Sequence, residues 1–113
     1  MGSKSFKAIA IQDDHGLTFI SPKDIRYCNS KGSYTKVNLT DNKTVTVSKN
    51  LKEIQLLLGD EYFVRIHHSF LINLKHARKY INTDGCFVEM DNGEKLSVSR
   101  NKRPDFLKRF KRL

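Results

Sequence analysis

Cysteine is scarce in this sequence: Cys28 and Cys86 are the two such residues in a chain of 113. Neither belongs to a Cys-x-x-Cys pair, and a small secreted domain held by disulfides carries more, so both are expected as reduced, buried thiols. Long apolar runs are missing. None approaches the roughly 18 residues that span a bilayer, and the opening Met1-Gly2-Ser3-Lys4-Ser5 lacks the apolar segment of a secretory signal. A soluble, cytoplasmic protein is the expectation. Catalytic signatures are absent too: there is no Gly-rich phosphate cradle, no Gly-x-Ser-x-Gly elbow and no carboxylate pair among apolar neighbours. No enzyme is expected. His67, His68, His76 and Cys28 lack the compact spacing of a zinc site, so neither a metal nor any other cofactor is expected. Acidic residues are the last shortage. Twelve Asp and Glu stand against 21 Lys and Arg, a net +9 that favours a polyanionic partner, most often nucleic acid.

What is present suffices for one domain with a modest core: 38% hydrophobic residues, including 7 Phe and 4 Tyr. Most apolar runs are short and read as strands. Phe6 to Gln12, with Phe6, Ala8 and Ala10 alternating with Lys7, Ile9 and Ile11, is followed by Asp13-Asp14-His15-Gly16 and then Leu17 to Ile20, a hairpin pattern. Ile25 to Cys28, Tyr34 to Leu39 and Thr44 to Val47 are β-branched or aromatic, separated by Asn29 to Ser33 and by Asp41-Asn42-Lys43. Strand-like runs resume at Tyr62 to Ile66, Ser69 to Ile72, Lys79 to Asn82, Cys86 to Met90 and Lys95 to Val98, with tight-turn dipeptides Asp84-Gly85 and Asn92-Gly93. Tyr27, Phe63, Phe70 and Phe87 are expected as core rings.

Two segments carry helical spacing. Asn50 and Glu53 form a capping-box pattern before Leu51, Ile54, Leu57 and Leu58, and Gly59 ends the run. Pro104 opens a terminal helix ending near Phe110, with Phe106, Phe110 and Leu113 on one face. The fold class is therefore mostly β, with one short internal helix and one C-terminal helix. Residues 1–8 are expected as a linker or cloning remnant and 9–113 as the domain.

The charge is unevenly placed. Residues 62 to 113 carry 12 basic and 5 acidic side chains, and residues 100 to 113 hold seven of those basic groups against Asp105. Polar and basic residues also gather in four separate loops: Lys31, Ser33, Tyr34 and Lys36; Lys49 and Asn50; His67-His68-Ser69; and Ser99-Arg100-Asn101-Lys102. Loop clusters of one chemical type can converge on one rim of a β fold, and this mixture suits groove recognition better than solubility alone. The simpler readings stand beside it. A basic tail also serves solubility, Ser48 and Asn50 also serve as helix caps, Asn73 satisfies backbone groups at a strand end, and Arg65 pairs as readily with Glu61 or Asp60 as with DNA.

Four blocks are familiar in their order and spacing: Ile25 to Val37, Val47 to Glu53, Tyr62 to Asn73, which contains Phe63-x-Arg65-x-His67-x-Ser69-x-Leu71-x-Asn73, and Val98 to Lys102. Together they resemble the LytTR DNA-binding domain, over roughly Ile9 to Phe110. The resemblance implies a transcription-regulator domain of small antiparallel sheets stacked together, without a helix-turn-helix. Its strand-connecting loops would enter successive major grooves of double-stranded DNA carrying direct repeats. By motif position, Tyr34, His68 and Arg100 are the expected base contacts. Lys31, Ser33, Lys36, Lys49, Asn50, His67 and Lys102 are then expected phosphate or flanking contacts. A receiver or other sensory domain in a longer protein, and a dimer on DNA, are the further partners the resemblance suggests. From a different class, a basic β module that binds RNA or an acidic protein is the competing reading.

Overall fold

The computed structural model of the chain describes residues 8–113, so of the segment expected as a linker or remnant only Ala8 lies among them, and Phe6 lies outside. In chain order the elements are β1 (Ile9–Asp13), β2 (Gly16–Ile20), β3 (Ile25–Lys31), β4 (Tyr34–Leu39), β5 (Thr44–Val47), α1 (Leu51–Leu58), β6 (Phe63–His67), β7 (Phe70–Asn73), β8 (Ala77–Ile81), β9 (Phe87–Met90), β10 (Lys95–Ser97) and α2 (Arg103–Leu107). They build three antiparallel sheets: a β1-β2 hairpin, a five-stranded sheet in the order β5-β4-β3-β7-β6, and a β8-β9-β10 meander. This is the expected class of small stacked sheets.

The five-stranded sheet is the middle layer. Because side chains alternate across a strand, each of its faces carries its own apolar set. One face presents Ile25, Cys28, Val37, Val47, Phe63 and Leu71 to Ile11 and Ile20 of the hairpin and to Leu51 and Ile54 of α1. The other presents Tyr27, Val64, Ile66 and Ile72 to Val88, Met90 and Leu96 of the meander, and to Val98 and Phe106. Irregular register in β3 between Ile25 and Tyr27, and in β6 between Arg65 and His67, lets these strands change which residues face each side.

Local chemistry explains α1. Asn50 Oδ1 accepts from the Glu53 amide at 2.9 Å, and Glu53 Oε1 accepts from the Asn50 amide at 2.9 Å, which completes the capping box. Gly59, at φ 77°, terminates the helix in a backbone region that favours glycine. Leu51 and Ile54 are buried as expected, whereas Leu57 is exposed and Leu58 half-buried.

Several expectations need correction. β3 runs on to Lys31, so Asn29 and Ser30 are paired residues, opposite Lys36 and Thr35, and the turn shrinks to Gly32-Ser33 with Gly32 at φ 62°. Phe70, Phe87 and Cys86 are half-buried rather than core. The terminal helix stops at Leu107: Phe106 is its one buried side chain, Phe110 only packs edge-on against Phe106, and Leu113 is fully exposed. With no further apolar contact to offset the ordering cost, nothing holds the following residues helical.

Two of the buried polar side chains, Arg26 and Asn73, lie at one end of the middle sheet. Asn73, 1% exposed, donates through Nδ2 to the Ile25 carbonyl at 3.0 Å and accepts through Oδ1 from the Lys75 amide at 2.9 Å. Arg26 donates to Asp91 at 2.7 Å and to the Leu39 carbonyl at 3.2 Å, and His76 Nδ1 lies 2.7 Å from the second Asp91 oxygen. Burial alone would raise the Asp91 pKa, but hydrogen bonds from Arg26 and His76 outweigh it and hold the carboxyl below its ordinary range. This network ties the β9-β10 turn to β3 across two sheets.

Candidate nucleic-acid interface

The opposite end of the middle sheet receives all four polar loop clusters. Antiparallel pairing dictates this: β3, β5 and β6 end where β4 and β7 begin. Lys31, Ser33 and Tyr34 occupy the β3-β4 hairpin, all exposed, with Tyr34 at 47%. The Ser30 amide donates to the Ser69 carbonyl at 3.0 Å, which sets the β6-β7 turn with His67 and His68 beside that hairpin. Fully buried Thr35 donates its hydroxyl to the Lys49 carbonyl at 2.7 Å, fixing the β5-α1 link on the other flank. The Ser99 amide donates to the Ile66 carbonyl at 2.8 Å, so the short 3-10 turn Arg100–Lys102 leaves from the tip of β6.

The expected base contacts Tyr34, His68 and Arg100 are therefore all exposed and lie along one rim. Lys31, Ser33 and Lys49 stand on it as well, exposed, and Lys102 is half-buried in the turn that follows. Two expected contacts sit differently. Lys36 is half-buried and set back from the rim, in register with Asn29 and, through it, Phe70. Asn50 is exposed, but its side-chain oxygen is engaged in the helix cap, which leaves only its amide N–H groups for a partner.

His67 is held most firmly. Its Nδ1 accepts from the Ser69 amide at 3.0 Å, so the neutral ring carries its proton on Nε2. The ring stacks on His68, with centroids 4.3 Å apart, and tilts against Phe70 at 5.3 Å. Burial first, then the neighbouring His68 and Arg65, lowers the His67 pKa below the ordinary histidine value. His67 can thus donate from Nε2 without carrying a charge.

Arg65, which the sequence pattern does not assign to DNA, belongs to this site. It pairs with neither Glu61 nor Asp60: its guanidinium donates to the carbonyls of His67 at 3.0 Å and His68 at 2.6 Å, and to Gln55 Oε1 of α1 at 3.2 Å. The signal available was alternation, which turns Arg65 away from Val64 and Ile66 towards the helix side. Arg109 instead reaches the carbonyls of Asp60 and Glu61, at 2.6 and 3.1 Å, beyond the far end of β6. The Arg109 side chain is therefore turned away from the rim that carries Arg100. Among the described residues no His, Cys, Asp and Glu group suited to a metal occurs, and no helix is long and apolar enough to cross a membrane.

The rim spans four strand spacings, about 19 Å, wider than the roughly 12 Å major groove of B-DNA. Comparison with known proteins agrees with the geometry. The chain is 30% identical over 95 residues to the sensory transduction protein LytT of Bacillus subtilis, covering 81% of this chain and 39% of that protein. It is 26% identical over 109 residues to the transcriptional regulatory protein LytR of Staphylococcus aureus, covering 94% of this chain and 44% of the relative. The chain thus spans about two fifths of the length of these curated relatives. A solved LytTr DNA-binding domain from Bacillus cereus superposes with a TM-score of 0.78 at 27% identity, over 92% of this chain and 96% of that one. The profile of the LytTr DNA-binding domain matches residues 15–111. Sheet order, rim and sequence blocks lead to one assignment: the chain belongs to the LytTr DNA-binding domain family.

Proposed function

We propose that this chain reads double-stranded DNA for a transcription regulator. Tyr34, His68 and Arg100 contact base edges, and Lys31, Ser33, Lys36, Lys49, Asn50, His67 and Lys102 hold phosphates or flank them. The loops enter successive major grooves of a site with direct repeats, and two copies bind such a site. One observation carries this reading: four loop clusters, separate in sequence, lie along a single rim wider than one groove. In a full-length protein, a receiver or other sensory domain supplies the signal, in the cytoplasm where the DNA is. This rests on relatives more than twice as long as the region they share with this chain, named for sensory transduction and transcriptional regulation.

Selection from random duplex DNA, followed by titration at one fixed salt concentration, tests the reading. The selected duplex should bind tightest, one with a single repeat more weakly, and single strands and RNA of the same length at the non-specific level. Equal affinity for duplex and RNA would transfer the rim to RNA or acidic-protein binding.

A further inference from the structure

We infer that Arg65 is the positioning residue for His68: it sets the direction in which that side chain leaves the β6-β7 turn. The inference rests on the DNA-reading role proposed for His68. The turn contains only His68 and Ser69 between the strands, and the carbonyls on either side of the His68 α-carbon both accept from the same guanidinium. The His67 carbonyl belongs to the peptide before His68 and the His68 carbonyl to the peptide after it. Holding both planes on one rigid fork fixes the two backbone dihedrals of His68, and with them the direction of its Cα–Cβ bond.

Two further bonds make the arrangement stiff. Gln55 Oε1, on capped helix α1, holds the remaining arm of the guanidinium at 3.2 Å, and the Ser69 amide locks the His67 ring at 3.0 Å. Nitrogens Nε, Nη1 and Nη2 each donate within the protein, three of the five N–H groups of the guanidinium, so its fork is committed to the turn and to α1. A lysine keeps the charge at this place but cannot span two carbonyls and an amide oxygen. The free turn would then sample several directions for His68, and binding would carry the cost of ordering it.

The test is a double-mutant cycle of Arg65→Lys and His68→Ala against the selected duplex and a scrambled duplex of equal length, over a salt series, with thermal melting of each protein. Arg65→Lys should lower the ratio of selected to scrambled affinity about tenfold, leave the salt slope unchanged, and add little once His68 is already Ala. Gln55→Ala should move the ratio the same way by less, and it carries the test if Arg65→Lys does not fold. A smaller salt slope with equal loss on both duplexes would make Arg65 a phosphate contact and overturn the inference. So would additive effects in the cycle, or an unchanged ratio while His68→Ala lowers it. A wild-type protein that does not discriminate between the duplexes would instead overturn the DNA-reading proposal, and the role of Arg65 with it.

Discussion

Replacing Asn73 should cost more stability than any single rim substitution, and the size of the effect follows from its bonds. The side chain is 1% exposed and serves two backbone groups, the Ile25 carbonyl at 3.0 Å and the Lys75 amide at 2.9 Å, with a longer bond to the Pro22 carbonyl at 3.4 Å. Asn73→Ala leaves at least one buried carbonyl without its donor, at about 1–3 kcal/mol, and removes a second bond worth about 1 kcal/mol. A loss of about 2–4 kcal/mol follows, which for a domain of this size lowers Tm by about 8–16 °C. Asn73→Asp keeps the acceptor for Lys75 but points a carboxylate at two carbonyl oxygens, so it should be at least as damaging as Ala. The assay is thermal and urea unfolding of the three proteins, with DNA titration well below the lowest Tm. Asn73 ends β7 at the opposite end from the rim, so DNA affinity should persist in the folded variants. A loss below about 1 kcal/mol, or Asp more stable than Ala, would refute the claim that this amide is a buried structural bridge.

Arg100→Lys should keep non-specific affinity but lower discrimination at one guanine by about 1–3 kcal/mol, because the ammonium cannot take both guanine acceptors; equal losses on specific and mutated duplexes would make Arg100 a phosphate contact. Acidification should destabilise the fold in two steps. The depressed pKa of His67 means the unfolded chain takes up that proton first, so stability is full above the ordinary histidine value of about 6.5 and falls as pH drops through it; that step should shrink in His67→Gln. The depressed Asp91 pKa likewise contributes stability that is present above the ordinary carboxyl value and lost as pH falls towards the folded one, a step missing in Asp91→Asn; melting curves from pH 8 to 3 check both. Lys102→Ala should lower the salt slope of DNA binding by about 0.9, while Lys108→Gln with Lys111→Gln should change it less than that single substitution does; a larger change from the tail pair would place the tail on DNA.

Legibility in the sequence followed the range of each interaction. The α1 capping box and the Asp84-Gly85 and Asn92-Gly93 turns are local, involving residues three apart or fewer, and they stand where the pattern puts them. Spacing alone overextends the terminal helix, because Phe106, Phe110 and Leu113 recur at helical spacing whether or not a core lies beneath them, and of the three only Phe106 is buried. Arg26 and Asp91 are 65 positions apart, so nothing local marks their pairing. Arg65 illustrates the remaining gap: its partners are two carbonyls and an amide oxygen, groups that no pattern of side-chain types announces. The charge count of the tail likewise does not say where each side chain goes: Arg109 is turned towards two carbonyls beyond the far end of β6.

With the proposed interface at the rim, the two ends of the middle sheet divide stability from recognition, and the division has a physical basis. A buried polar group must be matched by fixed partners, so Asn73 and Arg26, the latter held by exposed Asp91, tolerate little change, and they cluster where β3 begins and β7 ends. At the rim the bonds that shape the loops involve backbone groups: Thr35 to the Lys49 carbonyl, Ser99 to the Ile66 carbonyl, Arg65 to the turn carbonyls. Backbone groups survive any substitution of the residue that carries them, proline amides aside. The side chains of Tyr34, His68 and Arg100 can therefore vary while the loops that present them keep their geometry, since each is exposed and none supplies a bond that shapes its loop. If Tyr34, His68 and Arg100 read bases as proposed, a scaffold of this kind lets the sequence being read change with a few surface residues at a cost of about 0.5 kcal/mol each, the usual scale for exposed positions.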